Sequence, residues 1–318
     1  IKTGTTFFND MYWHFPGTAR AVEESGIRAA LSSVFIDFND QATADVRWRE
    51  CQDLFQRYRS YSDRITFALG PHAVYSVSRD SLERARDFAR ENDLMVHIHL
   101  SETRTELEQA RQSLGTTPTR YLNDLGLLGP NMCACHAVWL EEEDMDILAR
   151  TGTPVINNPT SNMKLCSGQF PYPQLKSRGI EVGLGTDGCS SNNNLDMLEE
   201  MKFASLSCKA HYGDPTLFSA GEVFKAATRS GARIFGLNAG RIQEGMLADC
   251  ILVDLNHPQL VPDYNLIANL VYSAPGDCVN TTICNGEILM RDRRVPGERE
   301  ILSRARETAE RLVRGRAN

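Results

Sequence analysis

The 318-residue chain has no run of eighteen consecutive apolar residues, the length a helix needs to cross a bilayer. Its first residues, Ile1-Lys2-Thr3-Gly4, offer neither an initiator methionine nor the basic-then-apolar order of a secretory leader. The expectation is a soluble, cytoplasmic protein with no membrane partner. Basic charge is scarce as well: 34 Lys and Arg face 41 Asp and Glu, for a net charge of −7, and the basic residues are scattered instead of clustered. A nucleic-acid backbone would find no positive surface, so no nucleic-acid partner is expected. A disulfide framework is also missing. The nine cysteines are odd in number and sit mostly inside apolar segments, which fits reduced, buried thiols. Internal repeats and low-complexity linkers are absent.

What the chain does have is alternation. Short apolar, β-branched runs exchange with amphipathic stretches from the first residue to about Gly236, the pattern of repeated βα units. Seven strands are expected: Thr5 to Met11, Arg28 to Ile36, Ile65 to Gly70, Leu94 to Leu100, Met132 to His136, Thr153 to Asn157 and Glu181 to Gly185. Helices are expected between them, over Pro16 to Ser25, Ala42 to Tyr61, Ser78 to Glu91, Arg104 to Leu114, Glu141 to Arg150 and Leu195 to Ala210, with Ala220 to Phe235 closing the series. Seven units are one short of a (β/α)8 TIM barrel. From about Gly240 the texture changes to strands and turns without helices: Ala248 to Asp254, Val279 to Cys284, an Asn285-Gly286 hairpin signal and Glu287 to Arg291. The expected organisation is a barrel over 1–238, a small appended β-sandwich layer over 239–297, and a charged C-terminal helix over 298–318.

Residue types suited to chemistry gather at the ends of successive strands, which in a TIM barrel converge on one face. The fourth strand ends His97-Ile98-His99-Leu100-Ser101-Glu102. A period of two puts both imidazoles on one side, with Glu102 where strand becomes loop. One imidazole could hold a metal while the carboxyl handles a proton, or both could be satisfied core histidines. His136 ends the fifth strand and His72, in Gly70-Pro71-His72, ends the third; each could serve a ligand or simply the core or a turn. Asp187, in Gly185-Thr186-Asp187-Gly188, leaves the seventh strand between glycines that give room for a metal and substrate, though an N-cap or turn role is common for such a residue. Asn157 to Leu165, which includes Asn162, reads as a polar loop lining a pocket or making a plain turn.

Taken in order, Gly-Pro-His72, His97-Ile-His99-Leu-Ser-Glu102-Thr, Cys135-His136-Ala-Val, Asn158-Pro-Thr-Ser-Asn162-Met-Lys-Leu and Gly185-Thr-Asp187-Gly-Cys-Ser-Ser-Asn-Asn resemble the amidohydrolase superfamily. The branch most like this sequence is the 5-methylthioadenosine/S-adenosylhomocysteine deaminases, with atrazine-type chlorohydrolases and guanine or cytosine deaminases as cousins. The resemblance extends from Phe8-Asn9-Asp10-Met11-Tyr12 to Gly245-Met246-Leu247-Ala248-Asp249. It implies one divalent metal, zinc, and a hydrolytic deaminase of adenosine-like purines, a small-molecule substrate being the expected partner. His99 would ligate the metal, and Asp187 would ligate it and accept the water proton. Glu102 would donate to the ring nitrogen beside the attacked carbon, and His136 would orient the water or the developing alkoxide. His72, Asn162, Glu102 and Asp187 would contact substrate.

One departure matters. The superfamily's first barrel strand ends in a further His-x-His that supplies two metal ligands, and His14, a single histidine after the first visible strand, cannot replace the pair. The metal site is therefore expected to be incomplete and the chain to be a truncated form, its activity by itself left open. Two other readings stay open: an amidohydrolase acting on a triazine or another nitrogen heterocycle, and an inactive truncated barrel serving as a scaffold. Homo-oligomerisation is left open.

Overall fold

The computed structural model describes residues 1–315. Seven strands, β1 (Phe7–Asp10), β2 (Arg28–Phe35), β3 (Ile65–Pro71), β4 (Met95–Leu100), β5 (Met132–His136), β6 (Val155–Asn157) and β7 (Val182–Leu184), form one sheet in chain order. Every neighbouring pair is parallel. Parallel strands in sequence need helical crossovers on one face, and the curled sheet with its outer helices is the wall of a (β/α) barrel. The expected strands all appear, shifted by a residue or two at their ends.

Burial follows from this layering. β2 is buried almost throughout because helices cover one face and the barrel interior fills the other. On β4, Val96, Ile98 and Leu100 join the main core, while His97 and His99 alternate to the interior. Cys133 and Cys135 on β5 pack with Ile156, Ile234 and Met95 in a separate cluster. All nine cysteines are free thiols, six of them buried, as the composition implied.

Helix starts are chemically marked. Asp40, Ser78, Thr103 and Thr117 each accept an amide of the first turn of the helix that follows. The predicted helix over 220–235 is continuous in the structure but carries a π turn at Ala226–Ser230.

Three expectations need correction. The segment from Asn157 to Leu165 is not a plain loop, since Pro159–Lys164 is a short helix started by proline at its first position. Residues 239–297 are not free of helix: Leu266–Tyr272 is helical, and its Tyr272 hydroxyl bonds Ser205 and Lys209 on the barrel helix Met197–Tyr212. The appended layer is a single three-stranded antiparallel sheet of β8 (Cys250–Val253), β9 (Val279–Cys284) and β10 (Glu287–Met290), where a sandwich was expected. No packing break occurs at 238, because Val279, Cys284, Leu289 and Met290 share one apolar core with the barrel. The terminal helix is Glu298–Gly315, exposed from Arg299 onward, and positions 316–318 of the predicted helix lie outside the described residues. No described helix is long and apolar enough to cross a membrane.

Candidate active site

The C-terminal ends of β3 to β7 bring the predicted residues together. The His99 ring lies 4.8 Å from that of His72, 5.7 Å from that of His97 and 5.4 Å from that of His136. Strand alternation alone would set His136 with Met132 and Ala134, away from the interior. Left-handed backbone at His136 (φ 71°) and Ala137 (φ 48°) breaks the alternation where the strand ends, and the ring sits beside that of His99. Ser101 (φ 48°) and Asp187 (φ 57°) are likewise left-handed, so three of the converging strands end in conformations that non-glycine residues rarely adopt.

The two histidines of β4 separate cleanly. Both ring nitrogens of His97 are occupied, Nδ1 by Asn9 at 2.6 Å and Nε2 by the Cys135 thiol at 3.0 Å. Burial pushes its pKa down to about 3, so it is a neutral packing residue. His99 uses only Nδ1, 2.9 Å from the His72 carbonyl, which fixes the tautomer and leaves the Nε2 lone pair open. Burial, and then its three histidine neighbours, hold His99 far below the usual imidazole range.

Glu102 and His136 lie side by side at the ends of their strands. The His136 Nδ1–H donates to Asn162 Oδ1 at 2.8 Å, and Nε2 lies 3.9 Å from Glu102 Oε2. Ser167 Oγ donates to the other Glu102 oxygen at 3.1 Å. Asn162 is buried, and its Nδ2 has no partner. His72 is held by Ser76: that hydroxyl donates to the Ala73 carbonyl, so it accepts from His72 Nδ1–H and leaves Nε2 as an acceptor. Burial lowers the His72 pKa, keeping the ring neutral.

Asp187 receives Ser161 Oγ at 2.7 Å on one oxygen and the Gly188 amide at 2.7 Å on the other. Burial opposes its ionisation, but these bonds outweigh burial and hold the carboxyl below its usual value. Gly185 lets this strand end approach its neighbour: a Cβ there would overlap Asn158 Oδ1 and lie 3.1 Å from Ile156.

His99 Nε2 and the second lone pairs of the Asp187 oxygens are hard-to-borderline donors of the kind zinc takes. Their donor chemistry suits a divalent cation. Among the described residues no group of three or more His, Cys, Asp or Glu side chains is arranged to hold a metal ion. His14 is exposed at the start of the first helix and belongs to no such group. Ser167 and Ser76 were missed by sequence reasoning, because small polar residues carry no motif of their own.

Known proteins bear on this site. The model of the Amidohydrolase family matches residues 1–289. A 5'-deoxyadenosine deaminase of Methanospirillum hungatei is 45% identical over 315 residues, covering 98% of this chain and 70% of that protein. A 5-methylthioadenosine/S-adenosylhomocysteine deaminase 1 of Archaeoglobus fulgidus is 44% identical over 317 residues, covering 98% and 75%. Among solved structures, an adenosine deaminase of Xanthomonas campestris with bound zinc superposes at a TM-score of 0.93 and 31% identity, over 98% of this chain and 72% of that one. An atrazine chlorohydrolase of Arthrobacter aurescens complexed with zinc, at a TM-score of 0.86 and 22% identity over 92% and 70%, shares the fold. Converging strand-end residues, barrel architecture and a family match over most of its length agree, and the chain belongs to the amidohydrolase family.

Proposed function

We propose that the chain is a zinc-dependent hydrolytic deaminase acting on adenosine-like purines such as 5-methylthioadenosine or S-adenosylhomocysteine. The observation that carries this is the meeting of Glu102 and His136, 3.9 Å apart, beside a His99 ring with an uncommitted nitrogen. The curated relatives named as deaminases of such nucleosides support the substrate class.

His99 and Asp187 would hold the ion. When bound, it makes water a nucleophile near neutral pH and stabilises the charge that develops on the oxygen. Asp187 takes a proton from the attacking water, and its low proton affinity lets that proton pass on to the departing amine. Glu102, protonated, donates to the ring nitrogen beside the attacked carbon, so that nitrogen keeps a proton in the product. The carbon–nitrogen bond to the exocyclic amine then breaks and ammonia leaves, Glu102 being restored by the proton of the added hydroxyl. His136, held in one tautomer by Asn162, orients the attacking oxygen, while His72 Nε2 and Asn162 Nδ2 are placed to meet polar atoms of the substrate.

Two protein donors are fewer than the three or more of a catalytic zinc site, so the 318-residue chain should bind zinc weakly. Elemental analysis before and after dialysis checks this, coupled to an ultraviolet assay on methylthioadenosine at saturating zinc. Ammonia release that a chelator abolishes is the expected result. Release of chloride or alkylamine from triazines, with none of ammonia from adenosine analogues, would overturn the substrate class.

A further inference from the structure

Glu106 is a buried carboxyl beside Glu102 that takes no part in the mechanism. Glu106 is 3% exposed, one turn into the helix Arg104–Leu114. Its Oε1 accepts from the Ser101 amide at 2.9 Å and its Oε2 from the Glu102 amide at 2.7 Å. In an ordinary capping box, a glutamate three residues after the N-cap reaches back to the N-cap's own amide. The N-cap here is Thr103, whose hydroxyl accepts from the Glu106 amide at 3.1 Å, but the Glu106 carboxylate bonds chiefly to the two amides before it, the Thr103 amide adding a weaker third contact. Those amides flank the left-handed peptide at Ser101 (φ 48°), the bend by which the chain leaves β4 and presents Glu102.

We propose that Glu106 is a positioning residue for Glu102: its carboxylate straddles two consecutive amides and fixes the backbone that aims Glu102 at His136 and Ser167. This rests on the reading of Glu102 as the proton donor. A single cap would need one oxygen. Two oxygens on adjacent amides fix the peptide plane between them, and so the direction of the Glu102 side chain. Here each amide bonds a different oxygen, and glutamine in the same pose would turn an NH2 donor towards one of the two N–H groups, so glutamine is a sensitive probe.

The test is Glu106→Gln, read first by amide hydrogen exchange. Losing one charge-assisted bond should speed exchange at Ser101 and Glu102 about tenfold or more, with Ile98 and Leu100 on β4 unchanged as internal controls. In the zinc-saturated protein kcat should fall about tenfold with KM and bound zinc unaltered. In a Glu102→Gln background the same substitution should cost nothing further, since a residue acting only through Glu102 has nothing left to act on. Unchanged exchange at both amides overturns the proposal, as does an equal loss of kcat with and without Glu102. If Glu102→Gln alone keeps full turnover, the reading of Glu102 fails while the exchange result still decides the clamp. Should Glu106→Gln not fold, the wild-type protein supplies the measurement. Burial pushes Glu106 up to about 7, with Glu102 and Tyr75 the titratable groups facing it, so protection of the two amides should be lower at pH 6 than at pH 8. Equal protection at both would also overturn the proposal.

Discussion

His97 and His99 leave one strand on one side, yet their nitrogens have opposite company. His97 is saturated by Asn9 and Cys135 and His99 is not, so a pattern of alternate histidines resolves into one packing residue and one with an open nitrogen only through contacts 27 or more residues away in sequence. The same sensitivity to neighbours governs Gly185. Its amide donates to the Asn157 carbonyl at 2.9 Å, tying β7 to β6 just before Asp187. Gly185→Ala would press a methyl group into the buried Asn158 side chain and against Ile156. The expected cost is about 1–3 kcal/mol in urea unfolding. Activity should fall by more than stability does, because the displaced strand end carries Asp187. An alanine variant with wild-type stability and turnover would show that the close approach is dispensable.

Between elements, buried carboxylates link the loops that the strands emit. Glu200, 1% exposed on the helix Met197–Tyr212, accepts the Thr160 amide at 3.2 Å and Asn192 Nδ2 at 2.6 Å. It therefore ties the turn after β6 to the turn after β7 on either side of Asp187. Burial raises its pKa to about 7, against 4.5 for the free group. The folded state then holds a proton that the unfolded chain has lost, so Glu200 draws stability down as pH rises through that window. Glu200→Gln removes the titration, and its unfolding free energy relative to wild type should rise by roughly 3 kcal/mol between pH 5 and pH 8. Urea curves at the two pH values give the comparison, and a constant difference would refute the linkage. Very little of this was legible beforehand. The seven strands and the order of chemical residues at their ends follow from apolar runs and period two, which a sequence displays directly. The helix Pro159–Lys164 was hidden because Asn-Pro-Thr-Ser-Asn is equally good turn chemistry. The direction of His136 was hidden because left-handed backbone at a histidine is imposed by tertiary packing, and alternation argues against it.

At the scale of the molecule, the appended sheet and the barrel meet at a buried ion pair. Arg28 opens β2 and reaches Asp249, the last residue of the Gly-Met-Leu-Ala-Asp motif, at 3.3 Å, with their side chains 5% and 4% exposed. The guanidinium also donates to Asn285 Oδ1 at 3.2 Å, and the Asn285 amide donates to Asp249 at 2.6 Å, which pins the β9–β10 turn to the barrel floor. Alongside this polar joint, Leu289 presses so closely on Gly26 that an added Cβ would lie 2.8 Å from it. One apolar core runs through both parts. Asp249→Ala would strand a buried guanidinium with a single amide oxygen for company, which costs about 3–5 kcal/mol. In a chain of this length that lowers Tm by on the order of 5–10 °C. Because core and ion pair are shared, the loss should appear as one transition displaced as a whole in calorimetry, with the active-site strands melting together with the small sheet. Two separated transitions in the variant, the lower one confined to β8–β10, would mean that the sheet is an attachment the barrel can shed.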